Sequence, residues 1–265
     1  MQVATKDTQI QVENPKIELS PAVKELQQKI QDAQAQTISD ADLAALYIEL
    51  GKAYRAQMLF RSAIDTYSIG LTRVPFSKEL YRHRGHAYLN LRRYSEGAAD
   101  FEMALRIDPV YWDALYHLGL CYYLLGDYRR AKAVLARCRA VSADDGSFIS
   151  ATDWYCLCCM RLGEIDEMKE AAAAIHEGME VGAGVGYYDR CLAYNGTITL
   201  EQAISIAESR DDHMYATGAY GLAVYYECVL HQPENAKTLL QNILSKDTTW
   251  AGFAEHAAYE DIKRL

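Results

Sequence analysis

The chain has 265 residues, of which 50% are hydrophobic and 24% are charged, so a packed core is expected. Its 5 prolines and 16 glycines are too few for an all-β chain of many tight turns, which favours helix throughout. No segment approaches the roughly 20 apolar residues that a membrane-spanning helix needs, and the 7 cysteines, an odd number without disulfide-scaffold spacing, indicate reduced thiols in the cytoplasm.

Charge is unevenly distributed along the chain. Residues 1–43 carry 4 basic against 7 acidic side chains, residues 44–145 carry 15 against 11, and residues 146–265 carry 8 against 18. A weakly basic middle beside an acidic C-terminal half indicates a polarised surface and argues against general nucleic-acid binding. We interpret the acidic half as ordinary solvated helix faces.

The N-terminal segment divides into a tail and a helix. Residues 1–19 are polar and predict a disordered tail, without the apolar core of a signal peptide; a leader removed earlier stays an open alternative. Ser20 and Pro21 are typical of a helix start, and residues 20–36 predict a capping helix over the first repeat. The alternative is an autoinhibitory segment that occupies a binding groove.

Residues 37–145 contain three units with a fixed period of 34 residues, 44–77, 78–111 and 112–145. The repeating columns are Gly51, Gly85 and Gly119; Tyr54, Tyr88 and Tyr122; Ala63, Gly97 and Ala131; Tyr67, Phe101 and Leu135; Gly70, Ala104 and Cys138; and Pro75 with Pro109. The spacing of small and large residues within a unit predicts two helices that pack closely, with small residues at the contact and large ones beside it.

These columns resemble the tetratricopeptide repeat, whose pattern is W-x2-L-G-x2-Y…A-x3-F…P. The fullest match is Tyr47, Leu50, Gly51 and Tyr54, followed by Ala63, Tyr67 and Pro75. The second unit departs from the pattern with Arg84 before Gly85, and the resemblance covers residues 44–145. It implies an all-α fold in which antiparallel helix pairs stack into a superhelix, with a concave groove for a peptide or protein.

Residues 146–265 predict degenerate helical pairs and a C-terminal capping helix. We expect pairs over 149–182, with a capping box at Ser150 and Asp153, over 187–209, with a capping box at Thr199 and Gln202, and over 211–245. Residues 182–186 are glycine-rich and predict a flexible connector. A final helix from Trp250 to about Ile262 is expected to expose Glu255, Glu260 and Asp261.

Several clusters contain residue types that occur in chemical sites. His83, His86 and His117, with Asp113, have the residue types of a zinc site, but repeat geometry already explains their spacing, so we interpret them as groove-lining residues. Cys156, Cys158 and Cys159 are interpreted as core-filling thiols. Asp153 and Asp166 are assigned to solvent-facing positions. The sequence therefore predicts no catalytic residue, no metal and no cofactor.

In the tetratricopeptide repeat family, the first helix of each pair lines the groove. The columns of those helices that the packing stripe does not use hold Lys52, Arg55, Arg82, His83, His86, Tyr116, His117 and Tyr123. This basic and aromatic set suits a peptide with carboxylates and an apolar or aromatic anchor. The clamp by which some repeats of this family grip chaperone tails falls on Ile48, Lys52, His83, Asp113 and His117, and Asp113 would repel a carboxylate.

We predict a scaffold or adaptor in the cytoplasm that binds a protein or peptide partner, acidic in character, without catalysis, nucleic acid or membrane. The alternatives are a regulatory or substrate-binding subunit of an enzyme complex, an assembly chaperone, or an enzyme built on the irregular C-terminal half. The oligomeric state is open.

Overall fold

The computed structural model describes residues 17–34, 38–246 and 252–265. Within these ranges there are fourteen α-helices, one short 3-10 helix and no strand, which confirms the predicted all-α fold class. The chain divides into two compact units, residues 1–117 and 118–265. The expected tail lies outside the described residues except for residues 17–19.

The first unit contains α1 to α5 and the start of α6. The helices are α1 (Pro21–Gln34), α2 (Asp40–Ala56), α3 (Phe60–Arg73), α4 (Lys78–Asn90), α5 (Tyr94–Ile107) and α6 (Trp112–Leu124), and the division between the units falls within α6. Helix α1 packs on α2, where Gln27 Nε2 donates to the Tyr54 hydroxyl at 2.8 Å. Val23 and Ile30 of α1 are buried in the same core as Leu43 and Tyr47 of α2.

The glycine columns mark where paired helices approach each other most closely. A Cβ added at Gly51 would overlap the Tyr67 ring, and one at Gly85 would lie 3.0 Å from the Phe101 ring. Because a side chain larger than hydrogen does not fit without a shift of its neighbour, these glycines allow α2 to pack on α3 and α4 on α5. The predicted alternation of small and large residues is therefore the observed packing.

The turn inside each regular pair uses a left-handed residue. Met58 (φ 62°), Arg92 (φ 58°) and Gly126 (φ 77°) stand one 34-residue period apart, each two residues after the end of the first helix of its pair. Only the third position is glycine, the residue that adopts this conformation without a steric penalty. The repeat therefore imposes a backbone geometry that two of its three units reach with a less suitable residue.

The second unit begins with the remainder of α6 and contains eight further helices. They are α7 (Tyr128–Ala140), α8 (Asp145–Leu162), α9 (Ile165–Ala173), α10 (Val185–Tyr194), α11 (Leu200–Glu208), α12 (Asp212–Cys228), α13 (Pro233–Leu244) and α14 (Phe253–Asp261). The capping box of α11 at Thr199 and Gln202 is confirmed. The one predicted at Ser150 and Asp153 is wrong, because α8 begins earlier and is capped by Asp144 and Ser147.

The glycine-rich segment, which we predict as a flexible connector, has regular structure and close backbone contacts. Residues Gly182–Gly184 form a 3-10 helix that leads directly into α10. A Cβ at Gly184 would lie 2.9 Å from the carbonyl oxygen of Gly146, and one at Gly186 would lie 2.8 Å from Thr217 Cγ2. The glycines therefore serve close backbone packing.

The core of the second unit contains an ion pair that the sequence did not reveal. Asp153 was assigned to solvent but is fully buried, and so is Arg190. The guanidinium donates through Nε to Asp153 Oδ1 at 2.5 Å, through Nη2 to Asp153 Oδ2, and through Nη1 to the carbonyl oxygen of Thr217. These bonds satisfy a pair of charges that would otherwise be very costly to bury.

The C-terminal helix also differs from its expected cap-like character. Trp250 lies outside the described residues, and α14 begins at Phe253. Glu255 and Asp261 were expected at the surface but are 1% and 3% exposed. A capping helix with a solvated outer face would expose both acids. Side chains of other elements must therefore contact these acids and hold α14 in place.

All seven cysteines are free thiols in the second unit. Six of them are buried and Cys228 is half-buried, in agreement with the core-filling interpretation. Burial raises the pKa of the Cys156 and Cys158 thiols well above the usual value. These thiols are therefore protonated and weakly reactive in the folded chain.

Candidate protein-binding face

The residues predicted to line a groove fall on three helices. Lys52 and Arg55 lie on α2, Arg82, His83 and His86 on α4, and Tyr116 and His117 on α6, all in the first unit. We call these seven residues the basic–aromatic face. Tyr123 belongs to the second unit, where its ring lies 5.2 Å from that of Trp154 and its side chain is buried.

Two of the three cations on this face are paired with carboxylates. Lys52 Nζ lies 2.8 Å from Glu49 Oε1, and both side chains are well exposed. Arg82 Nη2 donates to Asp113 Oδ1 at 3.0 Å, and the Arg82 side chain is only 16% exposed. Arg82, which the sequence places in the groove-lining set, is therefore largely covered, because its guanidinium pairs with a carboxylate of the next repeat.

Arg55 is the exception. It is half-buried, and its Nη2 donates to the amide oxygen of Asn90 at 3.3 Å. Its Nε is buried without a hydrogen-bond partner, and no carboxylate pairs with it among the described residues. Burial lowers the pKa of Arg55, and its neighbour Tyr67 has a pKa raised by burial to about 12, so the phenol is neutral and supplies no counter-charge.

The three histidines add aromatic surface rather than charge. The His83 ring stacks on Tyr67 at 5.8 Å, and the rings of His86 and His117 lie 4.7 Å apart. Burial, followed by the charge of Arg82, lowers the pKa of His83 to about 3 and that of His117 to about 4. Burial and the neighbouring His117 also hold the pKa of His86 well below its usual value. All three imidazoles are therefore neutral near pH 7.

The histidines do not converge on a metal position. Among the described residues, a different group has ligand atoms within 4.8 Å of one another, namely Cys159, Glu164 and Glu167. The ammonium of Lys132 already lies 2.7 Å from Glu164 and 3.0 Å from Glu167, and burial raises the pKa of the Cys159 thiol to about 12. Because a cation holds both carboxylates and the thiol is protonated, this group is an ion-pair cluster.

The face has an exposed rim and a buried floor. Lys52 is exposed, Arg55, Arg82, His83 and His86 are intermediate, and Tyr116 and His117 are only 6% and 5% exposed. His117 is fixed because its Nδ1 lies 2.7 Å from the carbonyl oxygen of Asp113. Asn90, the partner of Arg55, is a lone amide at the end of a helix and carries no sequence signal that would predict this contact.

Comparison with known proteins agrees with this architecture. The family model of the tetratricopeptide repeat matches residues 48–110 and 83–145. Residues 48–145 are tetratricopeptide repeats. These matches coincide with the regular repeats, and α8 to α14 lie beyond them.

Two relatives match part of the chain. The TPR repeat-containing protein YpiA of Bacillus subtilis is 26% identical over 140 residues, which are 52% of this chain and 32% of that protein. The SGT1 homolog of Oryza sativa subsp. japonica is 30% identical over 89 residues, which are 34% of this chain and 24% of that protein. The chain therefore spans about a third or less of the length of these relatives.

Solved structures show the same fold. YrrB, described as a TPR protein with an unusual peptide-binding site, matches with a TM-score of 0.51 and 19% identity, covering 92% of this chain and all of that one. A tetratricopeptide repeat protein from Parabacteroides merdae matches with a TM-score of 0.55 and 16% identity, covering 90% of this chain and 99% of that one. None of the helices in the described residues combines the length and the apolar composition of a membrane-spanning segment.

Proposed function

We propose that the protein is an interaction scaffold whose basic–aromatic face binds an acidic segment of a partner protein. Tetratricopeptide repeats generally serve protein recognition, and one structural neighbour, YrrB, is described as having a peptide-binding site. The chemistry of any reaction would then belong to the partner. The neutral histidines and protonated thiols of this chain are consistent with that division.

The observation that carries the proposal is the unneutralised charge of Arg55. A half-buried guanidinium without a carboxylate has given up part of its hydration and has not been compensated by an ion pair. A carboxylate of a bound peptide would supply that compensation through charge-assisted hydrogen bonds. Lys52 and Arg82 already have acidic neighbours, so their contribution to an acidic ligand is smaller.

The histidines define the second part of the ligand. His83 and His86 present neutral rings beside Arg55, with His117 and Tyr116 packed beneath them. Aromatic surface next to an arginine is typical of interface positions that contribute much of the binding energy. We therefore propose a ligand with a carboxylate at Arg55 and an apolar or aromatic side chain against the imidazoles.

The experiment compares capture of partners from native lysate by wild type, Arg55→Ala and Arg73→Ala, identified by mass spectrometry. Arg73 is exposed at the end of α3 and serves as the matched loss of one positive charge. A partner held by wild type and Arg73→Ala but lost by a folded Arg55→Ala protein is the expected result.

Synthetic peptides then test the chemistry of the ligand. Peptides that span the captured partner would be compared in pairs, with each Asp and Glu replaced by Asn or Gln. We expect at least a tenfold loss of affinity for one such replacement with wild type, and no difference with Arg55→Ala. Equal capture by all three proteins would refute the proposed role of this face.

A further inference from the structure

Polar contacts help to hold helix α14 in the second unit. It packs against α12 and α13. Its buried apolar residues are three alanines, Ala254, Ala257 and Ala258, which bring little apolar area into the core. The same short helix buries three polar side chains, Glu255, His256 and Asp261. The position of α14 therefore depends strongly on what receives these acids.

Asp261 enters a recess built by other helices. Its Oδ2 accepts hydrogen bonds from Arg161 Nη2 of α8 and, at 2.9 Å, from the Tyr220 hydroxyl of α12. Arg161 also donates through Nη1 to Glu227 Oε2 at 2.6 Å. Arg264, three residues after Asp261, donates to its other oxygen, Oδ1. Apart from Arg264, these groups come from outside the C-terminal segment.

A chain of hydroxyl groups orders this recess. Arg161 Nε donates to the Tyr123 hydroxyl at 3.4 Å, and the hydroxyls of Tyr123 and Tyr220 lie 2.7 Å apart. Because Tyr220 directs its hydrogen to Asp261, Tyr123 is the donor in that pair. The Trp154 ring lies 5.2 Å from that of Tyr123 and 6.0 Å from that of Tyr220. The recess is thus an arginine and two hydroxyls set in an aromatic wall.

The residue types of this recess are those that are common at protein-binding sites. Tyrosine, tryptophan and arginine dominate the energetic centres of protein interfaces, and a preorganised arginine with hydroxyl donors is suited to a carboxylate. A cleft continues beside α14, lined by Leu124, Leu125 and Tyr128 on one side and by α14 on the other. The Leu125 side chain there is 46% exposed, which leaves apolar surface for a ligand larger than α14.

We propose that this recess of Tyr123, Trp154, Arg161 and Tyr220 is a second protein-binding site, that α14 is its internal occupant, and that a partner helix with a carboxylate in the place of Asp261 displaces it. The partner helix would carry small residues beside that carboxylate, as α14 does, and an apolar side chain for the cleft. The site is independent of the basic–aromatic face, so either proposal can fail without the other.

The test uses the full chain and a labelled synthetic peptide of residues 252–265 as the probe. In the Asp261→Asn chain the internal helix loses its charged contact, so the recess is free for a larger fraction of the time. Fluorescence anisotropy is expected to show at least tenfold tighter peptide binding to this chain than to wild type. Glu260→Gln is the matched control, since Glu260 pairs with Lys263 at 2.9 Å on the surface, and it should behave as wild type.

Two further arms decide the chemistry. A probe peptide that itself carries Asn in place of Asp261 should bind the Asp261→Asn chain at least tenfold more weakly than the unaltered probe. Binding should also be lost when Arg161→Met is added to the Asp261→Asn chain. Equal binding of the two probes, or no binding of either to a folded Asp261→Asn chain, would overturn the proposal. So would a dimer of the variant that excludes the probe, because the occupant would then be a second copy.

Hydrogen exchange on the wild-type chain gives a test that needs no variant. If α14 is displaceable, its amides should exchange at least tenfold faster than those of the buried middle of α12, residues 215–224, which is a continuous run of buried positions. Equal protection of the two helices would mean that α14 leaves only on global unfolding, and would refute its role as an exchangeable occupant.

Discussion

Removing either partner of the Asp153–Arg190 pair should destabilise the second unit severely. In an Asp153→Ala variant the guanidinium of Arg190 stays buried and loses two of its three hydrogen bonds. Bonds that involve a charged group contribute about 1.5–3 kcal/mol each, and breaking a buried ion pair costs about 3–5 kcal/mol. Both routes lead to a loss of about 4 kcal/mol in the free energy of unfolding.

Urea unfolding followed by far-UV circular dichroism measures this loss. With a slope of about 3 kcal/mol per molar urea, the midpoint of the second unit should fall by about 1–1.5 M. Asp166→Ala is the control, because Asp166 is an exposed acid on the neighbouring α9 and its removal should change stability by less than about 0.5 kcal/mol. A double variant, Asp153→Ala with Arg190→Met, should lose less than Asp153→Ala alone, since no charge is left buried.

The two single variants should differ in their dependence on pH. Burial already raises the pKa of Asp153 above its usual value, and Arg190 acts in the opposite direction. In Arg190→Met the pKa rises further, so the folded state prefers the protonated carboxyl. This preference stabilises the fold at pH values below the pKa of Asp153 in the unfolded chain, which is about 4. The stabilisation is lost as the pH rises through the higher pKa of Asp153 in the folded chain. In Asp153→Ala the buried charge cannot be removed by a change of protonation, because the guanidinium of Arg190 does not lose its proton in this pH range. Equal stability profiles between pH 4 and 8 would refute this reasoning.

The glycine contacts and the histidines give two further predictions. Gly51→Ala should lower the free energy of unfolding by about 1–3 kcal/mol, because the added Cβ would overlap Tyr67. Gly85→Ala should lower it less, because its Cβ would lie 3.0 Å from Phe101 and alanine gains up to about 1 kcal/mol in helix propensity. Thermal unfolding of both variants would rank them, and a reversed order would contradict the packing argument. The imidazole of His83, with a pKa of about 3, and that of His117, with a pKa of about 4, should show no NMR titration between pH 5 and 8. Since both values lie below the unfolded value of about 6.5, these residues stabilise the fold fully above that pH and progressively less as pH falls towards 3, so a midpoint near pH 6.5 would show that they are exposed.

The regular repeats could be predicted because their constraints are local. A glycine at 51 and an aromatic residue at 67 lie on adjacent helices of one pair, so the periodic pattern alone indicates that they touch. The left-handed conformations of Met58 and Arg92 escaped prediction, since neither residue type signals them. Their equivalence to Gly126 becomes visible only when the three turns are aligned with a shift of one repeat period.

The acidic residues of the second unit were mispredicted because their partners are distant in sequence. Asp153 meets Arg190 after 37 residues, and Arg161 meets Asp261 after 100. A helical pattern shows which face an acid occupies within its own helix but not which element covers that face. Burial was missed on the basic–aromatic face for the same reason. The repeat register placed Tyr116 and His117 on α6 but did not indicate that neighbouring side chains would bury them.

The placement of the cysteines makes thiol chemistry a selective probe of this chain. All seven belong to residues 118–265, and the first unit contains none. An alkylating reagent meets protonated, covered thiols until a helix opens, so its rate of incorporation measures local opening rather than intrinsic reactivity. Cys228, the half-buried member on α12, should report the release of that helix before Cys121 or Cys138 react. Peptide mapping of the alkylated chain would thus show in which order the helices of the second unit open. The first unit would give no signal, because it contains no cysteine.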